Sequence, residues 1–62
     1  MDLKALGAAC REFRNTLGYT QLKVSEDTGI SREVISDFEN GRSKNVVILD
    51  WYLKKGFEYG KY

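Results

Sequence analysis

Four of the six glycines each follow a stretch whose apolar residues have helical spacing. They are Gly18, Gly29, Gly41 and Gly56. Because glycine adopts a positive φ at little cost, it commonly ends a helix. The sequence therefore predicts an all-α fold in which these glycines separate short helices.

The first stretch is amphipathic, and its apolar residues recur every three or four positions. This spacing predicts a helix over about residues 3–16. Thr20 and Ser31 are typical N-cap residues, and they predict two further helices over about residues 21–28 and 32–40. The apolar face of the first helix consists of Leu3, Leu6, Cys10, Phe13 and Leu17. The expected inner faces of the next two consist of Val24, Ser25 and Thr28, and of Val34, Ile35 and Phe38.

The fourth stretch is compatible with a helix or a strand. Val46, Leu49 and Leu53 have the spacing of a helical face. The alternation of residues 47–53 and the run of β-branched side chains instead suit a strand. We expect a helix over about residues 45–55, because the interval before the next glycine is long for a strand.

The chain has 62 residues, so we expect one small domain over residues 1–62. A single cysteine and the lack of histidine exclude an internal disulfide and leave too few ligands for a zinc site. Cys10 lies among apolar residues, and we expect it to be a small buried side chain. No apolar run approaches the roughly 18 residues that span a membrane, so we expect a cytoplasmic protein with no membrane partner.

The formal net charge is +1, but the charges are distributed unevenly. Residues 21–41 carry two cationic and five anionic side chains, a net −3, whereas residues 42–62 carry a net +3. If the chain binds nucleic acid, basic residues outside the middle segment must offset its negative charge.

No pattern typical of an enzyme is present in the sequence. Without histidine, the chain lacks the usual general base and any Ser-His pair. The glycines are scattered singly, so they do not form a phosphate-binding loop. We therefore expect no catalytic residues, no cofactor and no bound metal.

Residues 20–41 contain a recurrent pattern that points to a family. Its elements are Thr20-Gln21, Ser25, Gly29-Ile30-Ser31, Ile35-Ser36 and Glu39-Asn40-Gly41. Further matching positions are Arg14, Gly18, Tyr19, Leu49, Leu53 and Gly56. Together they resemble the helix-turn-helix of the phage repressor and Cro family, also called the xenobiotic-response-element type.

This resemblance implies a small lambda-repressor-like DNA-binding domain of four to five helices, with the helix-turn-helix at the second and third helices. Ser25 stands where the family usually has alanine, and it is small enough to fit between the two helices. Thr28 stands where the family usually has leucine or valine, so we expect a slightly weaker core there.

By resemblance, the N-terminal part of the third helix enters the major groove of DNA, which is about 12 Å wide. Arg32 is chemically suited to guanine, and Glu33 or Asp37 can accept a hydrogen bond from cytosine. The candidates on this helix are Ser31, Arg32, Glu33, Ser36 and Asp37.

The same resemblance assigns phosphate contacts to residues on either side of the third helix. Gln21 begins the second helix, where a phosphate is also favoured by the helix N-terminus. Asn40, Arg42 and Lys44 follow the third helix and are expected to lie along the DNA backbone. The alternative for the charged residues is an ordinary solvated surface, and Ser31 is an N-cap in either case.

Arg14 and Glu39 are implied by resemblance to form a largely buried ion pair. It would link the first helix to the end of the third. The position of Arg14 fits this role, because it lies beside the apolar residues Phe13 and Leu17. We expect the pair to be structural rather than catalytic.

These observations predict a sequence-specific DNA-binding transcriptional regulator whose partner is double-stranded DNA. In particular, we expect a repressor from a phage or another bacterial mobile element. The alternative is a protein-binding module, such as an antirepressor, that has kept the fold and lost DNA affinity. The net charge of −3 in residues 21–41 favours this alternative, because phosphate contacts normally dominate DNA affinity.

Aromatic residues crowd the end of the chain. They are Trp51, Tyr52, Phe57, Tyr59 and Tyr62. We expect a core of this size not to bury all of them, and aromatic residues are enriched at interface centres. The sequence therefore predicts a weak homodimer with two-fold symmetry through about residues 46–62. The alternative is that Trp51 or Tyr52 covers the core and the tail is frayed.

Overall fold

The computed structural model describes residues 2–59, and these residues form four helices with no strand between them. The helices are α1 (Leu3–Leu17), α2 (Gln21–Thr28), α3 (Arg32–Glu39) and α4 (Val46–Lys54). The all-α expectation is confirmed, and the ambiguous fourth stretch is a helix. Tyr62 lies outside the described residues.

Each helix begins at a side chain that accepts a hydrogen bond from a backbone N–H of the first turn. The N-cap residues are Asp2, Thr20, Ser31 and Asn45. Gly18 and Gly29 follow α1 and α2 with φ of 78° and 74°, which is the left-handed conformation expected of a C-terminal glycine. Since α2 and α3 have only eight residues each, they depend on packing for their stability.

The core lies between the inner faces of all four helices. Its buried members are Leu6, Ala9, Cys10, Phe13, Val24, Ile35, Phe38, Ile48, Trp51, Tyr52 and Phe57. Most of the expected inner faces of the first three helices are confirmed, but Leu17 at the end of α1 is exposed. Cys10 is fully buried, and burial raises the pKa of its thiol to about 12.

The helical face that the sequence suggested for α4 is turned inward only in part, because Leu49 is half-buried against the core but the other two residues are not. Val46 is 78% exposed and Leu53 is 52% exposed, whereas Ile48, Trp51 and Tyr52 point into the core. The reason is that α4 is apolar on nearly every side, so spacing alone does not identify its inner face. Turning the aromatic side chains inward buries more apolar area than turning the aliphatic stripe inward.

Two glycines allow helix α1 to contact the end of α3 directly. A Cβ atom on Gly7 would lie 2.6 Å from the carbonyl oxygen of Glu39. A Cβ atom on Gly41, whose φ is 76°, would lie 2.7 Å from the backbone nitrogen of Lys4. Both positions therefore require glycine, because backbone atoms occupy the space of a side chain.

We predict that Gly7→Ala lowers the free energy of unfolding. At an open helical site this change would stabilise the chain by about 1 kcal/mol through helix propensity. Here the added methyl group meets backbone of α3, and overpacking costs typically about 1–3 kcal/mol or more. Urea unfolding followed by the fluorescence of Trp51, the single tryptophan, measures the effect.

The reverse exchange at the neighbouring exposed position, Ala8→Gly, is the control. It changes propensity without changing packing, so it should cost about 1 kcal/mol. A Gly7→Ala variant more stable than the original chain would contradict the close contact between α1 and α3.

Candidate nucleic-acid interface

Helices α2 and α3 are joined by a short turn that is fixed by hydrogen bonds from Thr28. The hydroxyl of Thr28 donates to the carbonyl of Val24 at 2.7 Å and accepts from the amide of Ile30 at 3.2 Å. Gly29 occupies the left-handed conformation between them. Thr28 thus ties the end of α2 to the turn.

The N-terminal part of α3 presents its polar side chains to solvent. Ser31, Arg32 and Glu33 are exposed, whereas Ile35 on the opposite side is fully buried. Ser31 also caps the helix, since its hydroxyl accepts from the amide of Val34 at 3.4 Å. The structure therefore places three of the expected base-contacting residues together on one accessible end of a helix.

The remaining candidates on α3 contact residues that follow the helix. The side-chain amide of Asn40 donates to the carbonyl of Ser36 at 2.8 Å and to its hydroxyl at 3.4 Å. A guanidinium nitrogen of Arg42 lies 3.6 Å from a carboxylate oxygen of Asp37. Arg42 is largely exposed and the Asp37 side chain is about half exposed, so the pair contributes little to stability. Lys44 is exposed farther along the loop.

Gln21 is half-buried at the start of α2, and its side chain points partly inward. Its amide nitrogen donates to Glu39 Oε1 at 3.1 Å. An amide nitrogen carries two hydrogens, so one donor is used internally and one remains. Gln21 therefore binds Glu39 in the interior and is still partly accessible at the start of α2.

The carboxylate of Glu39 accepts hydrogen bonds from all three other helices. Arg14 of α1 donates from Nε to Oε2 at 2.9 Å and from Nη2 to Oε1 at 3.1 Å. Gln21 of α2 donates to Oε1, and the hydroxyl of Tyr52 of α4 donates to Oε2 at 2.5 Å. Arg14 and Glu39 are 7% and 2% exposed, so the expected buried ion pair is present. Sequence reasoning did not identify Gln21 and Tyr52 as its partners.

The pKa values of this cluster follow from burial and from these hydrogen bonds. Burial alone would raise the pKa of Glu39, but the donors Arg14, Tyr52 and Gln21 outweigh it and hold that pKa below its ordinary value. Burial, together with the hydrogen bond to Glu39, raises the pKa of Tyr52. The carboxylate of Glu39 therefore remains ionised near neutral pH, and the phenol of Tyr52 and the guanidinium of Arg14 surround it.

The expected dimer interface through Trp51, Tyr52 and Phe57 is corrected by the structure, because all three side chains are buried. The ring of Tyr52 stacks on Phe38 with centroids 6.2 Å apart. These rings constitute much of the core, so a chain of this length does bury them. Tyr59 is 49% exposed and remains accessible.

A polar cluster between α2 and α4 was not anticipated from the sequence. The indole nitrogen of Trp51 donates to a carboxylate oxygen of Asp27 at 2.9 Å, and Lys23 lies 3.3 Å from the same carboxylate. The hydrogen bond from Trp51 is the main reason that the pKa of Asp27 is lowered. Lys55 lies over the rings of Tyr19 and Trp51, 5.5 and 5.4 Å from their centroids.

The chain was compared with protein families, curated proteins and solved structures. A family model described as helix-turn-helix matches residues 11–48, which is more than half of the chain. The matched segment covers the second half of α1, all of α2 and α3, and the start of α4. Neither a curated protein nor a solved structure gives a significant match. Within residues 2–59, no helix is both long and apolar enough to cross a membrane.

We predict that the chain loses stability as the pH falls below the ordinary glutamate pKa of 4.5. The folded state holds the pKa of Glu39 below that of the unfolded state, so the unfolded state takes up a proton first. The stabilisation is complete above the unfolded pKa and is lost as the pH falls through the folded pKa. Urea unfolding at a series of pH values between 7 and about 3 measures this dependence.

The matched variants Tyr52→Phe and Tyr19→Phe assign the effect to Glu39. Tyr52→Phe keeps the ring but removes one donor, so the pKa of Glu39 rises and the acid dependence becomes shallower. Tyr19→Phe removes a hydroxyl that does not contact Glu39, and it should leave the dependence unchanged. The added variant Asp27→Asn removes the contribution of the exposed carboxylate whose pKa is also lowered. Equal slopes in the two phenylalanine variants would contradict the assignment.

Proposed function

The chain belongs to the helix-turn-helix family, and we propose that it is a sequence-specific DNA-binding transcriptional regulator. The observation that carries this proposal is the exposed N-terminal end of α3, which presents Ser31, Arg32 and Glu33 on one side. A helix with side chains is about 10–12 Å across, which fits the major groove of B-DNA. The first residues of such a helix are the ones that reach the base edges.

Within this proposal, Arg32 and Glu33 make the base contacts that specify sequence. Arg32 is exposed, and its planar guanidinium matches the two acceptors of guanine in the major groove. Glu33 can accept from the amino group of cytosine. Ser36 and Asp37 lie one turn farther along, where Asp37 also faces Arg42. We therefore assign Asp37 two roles, a base contact and the orientation of Arg42.

The phosphate contacts are proposed at both ends of the motif. Asn40, Arg42 and Lys44 lie at the end of α3 and in the loop that follows it, and all three are exposed. At the other end, Gln21 has one amide donor left and stands at a helix N-terminus, which favours an anion. Such contacts fix the position of a protein on the duplex and carry no sequence information themselves.

The negative charge of residues 21–41 is partly compensated within the protein. Glu39 is buried against Arg14, Asp27 lies 3.3 Å from Lys23, and Asp37 lies 3.6 Å from Arg42. Lys23 is already counted in the net charge of −3, whereas Arg14 and Arg42 lie outside the segment and offset part of it. This lowers the repulsion that phosphates would experience.

A protein-binding module remains the second candidate function. It is favoured by the net charge of the motif and by the apolar residues exposed on α4, of which Val46 is the most accessible at 78%. A salt titration separates the two functions. DNA binding weakens steeply with added salt, whereas association through apolar residues does not.

The finer assignment is to a repressor of a phage or bacterial mobile element that acts by occupying its operator. A DNA-occupying domain is sufficient for repression when the site overlaps a promoter. A reporter with the selected site inside the promoter tests this assignment, and activation instead of repression would contradict it.

We predict different consequences for Arg32→Ala and Arg42→Ala. If Arg32 contacts guanine, its loss should cost about 1–3 kcal/mol of binding free energy and relax the preference at one base pair. Loss of Arg42 should weaken binding to all sequences alike and make the salt dependence shallower by about one phosphate contact. Binding is measured on a duplex selected from a random pool and on its single-base variants, at several salt concentrations.

Arg42 is the matched control for Arg32, since both are exposed arginines on the same motif. Equal losses that do not depend on sequence would remove Arg32 from base recognition and would leave it as a phosphate contact.

We also propose a weak two-fold dimer that forms on DNA, through a revised surface. The surface consists of the exposed side chains Val46, Val47, Leu53 and Tyr59. Helix α4 packs chiefly against α2, so a partner on its outer side leaves the exposed end of α3 uncovered. Two motif helices must lie about 34–36 Å apart on a two-fold site. The described residues extend 27 Å in their longest direction, which allows each α3 to lie about 17 Å from the axis.

We predict that the double variant Val46→Ser, Leu53→Ser abolishes the two-to-one complex on a near-palindromic duplex. These point changes are chosen because Phe57 belongs to the core, so removal of the tail would disturb the fold. Sedimentation with and without the duplex measures the stoichiometry. Leu22→Ser, at a half-exposed leucine of α2, is the control and should leave the complex intact. A one-to-one complex of the original chain on a non-palindromic site would rule the dimer out.

A further inference from the structure

A basic residue far from the motif in sequence lies beside the loop that follows α3. Gly41 is packed against the first turn of α1, where its missing Cβ atom would lie 2.7 Å from the nitrogen of Lys4 and 3.1 Å from the carbonyl carbon of Leu3. This contact places the backbone of Lys4 beside Gly41, the residue that precedes Arg42 in the chain. The first turn of α1 is thereby adjacent to the loop proposed to follow the DNA backbone.

Three cationic residues lie at this junction or in the loop that follows it, and all of them are exposed. They are Lys4, Arg42 and Lys44, which together are called the junction cluster. Arg42 shares its charge with Asp37, whereas the ammonium groups of Lys4 and Lys44 have no ion pair within residues 2–59. The nearest carboxylate in sequence to Lys4 is that of Asp2, which caps α1 by accepting from the amides of Lys4 and Ala5.

We infer that Lys4 is a phosphate contact and that the junction cluster is one continuous surface for the DNA backbone. This inference rests on the proposed DNA-binding function and extends it to a helix outside the motif. An ammonium group on a flexible stem is suited to phosphate as a point charge and carries no base preference. Such a contact supplies positive charge from outside residues 21–41, whose own charge is a net −3.

The packing at Gly41 is what makes the cluster continuous. A side chain at this position would meet the backbone of α1 and would separate the first turn from the loop. Glycine is also required by the positive φ of 76°. The same residue therefore ends the motif and places Lys4 beside the start of the loop that contains Arg42.

The test is the salt dependence of DNA binding by Lys4→Gln, measured on the selected duplex. The slope of log affinity against log salt should become shallower by about 0.9, as expected for one lost phosphate contact. Lys4→Arg should keep the slope, and the ranking of single-base variants of the site should not change. Lys54→Gln is the matched control, because this exposed lysine lies on α4 and pairs with Asp50 at 3.0 Å.

A tethered cleavage reagent locates Lys4 directly. The variant Lys4→Cys can be labelled selectively, because Cys10 is fully buried and burial raises its pKa to about 12. A hydroxyl-radical-generating label at position 4 should cut the DNA backbone beside the site, and the same label at Lys54→Cys should not.

The outcomes distinguish this inference from the function on which it rests. If Lys4→Gln keeps the original slope while Arg42→Gln makes it shallower, Lys4 is not a contact and DNA binding by the motif stands. If the original chain shows no salt-dependent DNA binding, the proposed function fails and the inference fails with it. Equal thermal melting of all variants establishes that the exposed changes leave the fold intact.

Discussion

Within residues 2–59, the carboxylate of Glu39 on α3 is the group that accepts hydrogen bonds from each of the other three helices. It ends α3 and accepts from Arg14, Gln21 and Tyr52, which belong to α1, α2 and α4. A buried charge without partners would be very costly, and a buried pair that loses one partner costs about 3–5 kcal/mol. Since α2 and α3 are too short to be stable alone, the arrangement of the helices depends on satisfying this single group.

The same carboxylate connects the structure to the proposed DNA surface. Gln21 stands at the first position of α2, and Glu39 at the last position of α3, so their hydrogen bond links the two ends of the motif. Thr28 fixes the turn between the two helices from the other side. Replacing a buried ion pair by apolar residues is often neutral for stability. The carboxylate of Glu39 instead fixes geometry, because its hydrogen bonds set the position of the exposed end of α3 relative to the start of α2.

The helices could be predicted from the sequence because their ends are determined locally. Gly18 and Gly29 adopt the left-handed conformation expected of them, and Thr20, Ser31 and Asn45 cap the helices that follow. The Arg14 and Glu39 pair came from resemblance to a family and not from spacing. The inner face of α4 could not be predicted, because a helix apolar on nearly every side has no preferred face in sequence. For the same reason, the spacing of apolar residues did not predict that the hydroxyl of Tyr52 donates to Glu39.

The close contacts between backbone segments could not be predicted from the sequence either. In the sequence, Gly7 is an ordinary residue of a helix, and Gly41 indicates only where a helix ends. The structure shows that both pack directly against backbone atoms. These two contacts bring the first turn of α1 beside the loop after α3, and so they determine which cations lie near the motif.

The formal charge of residues 21–41 is therefore a poor guide to the electrostatic field at the proposed DNA surface. Glu39 is neutralised in the core by Arg14, and the half-exposed carboxylate of Asp37 faces Arg42. In the proposed DNA-binding function, so few cations would neutralise only a few phosphates per copy, and affinity would then depend on the proposed pairing of two copies or on contacts from outside the motif.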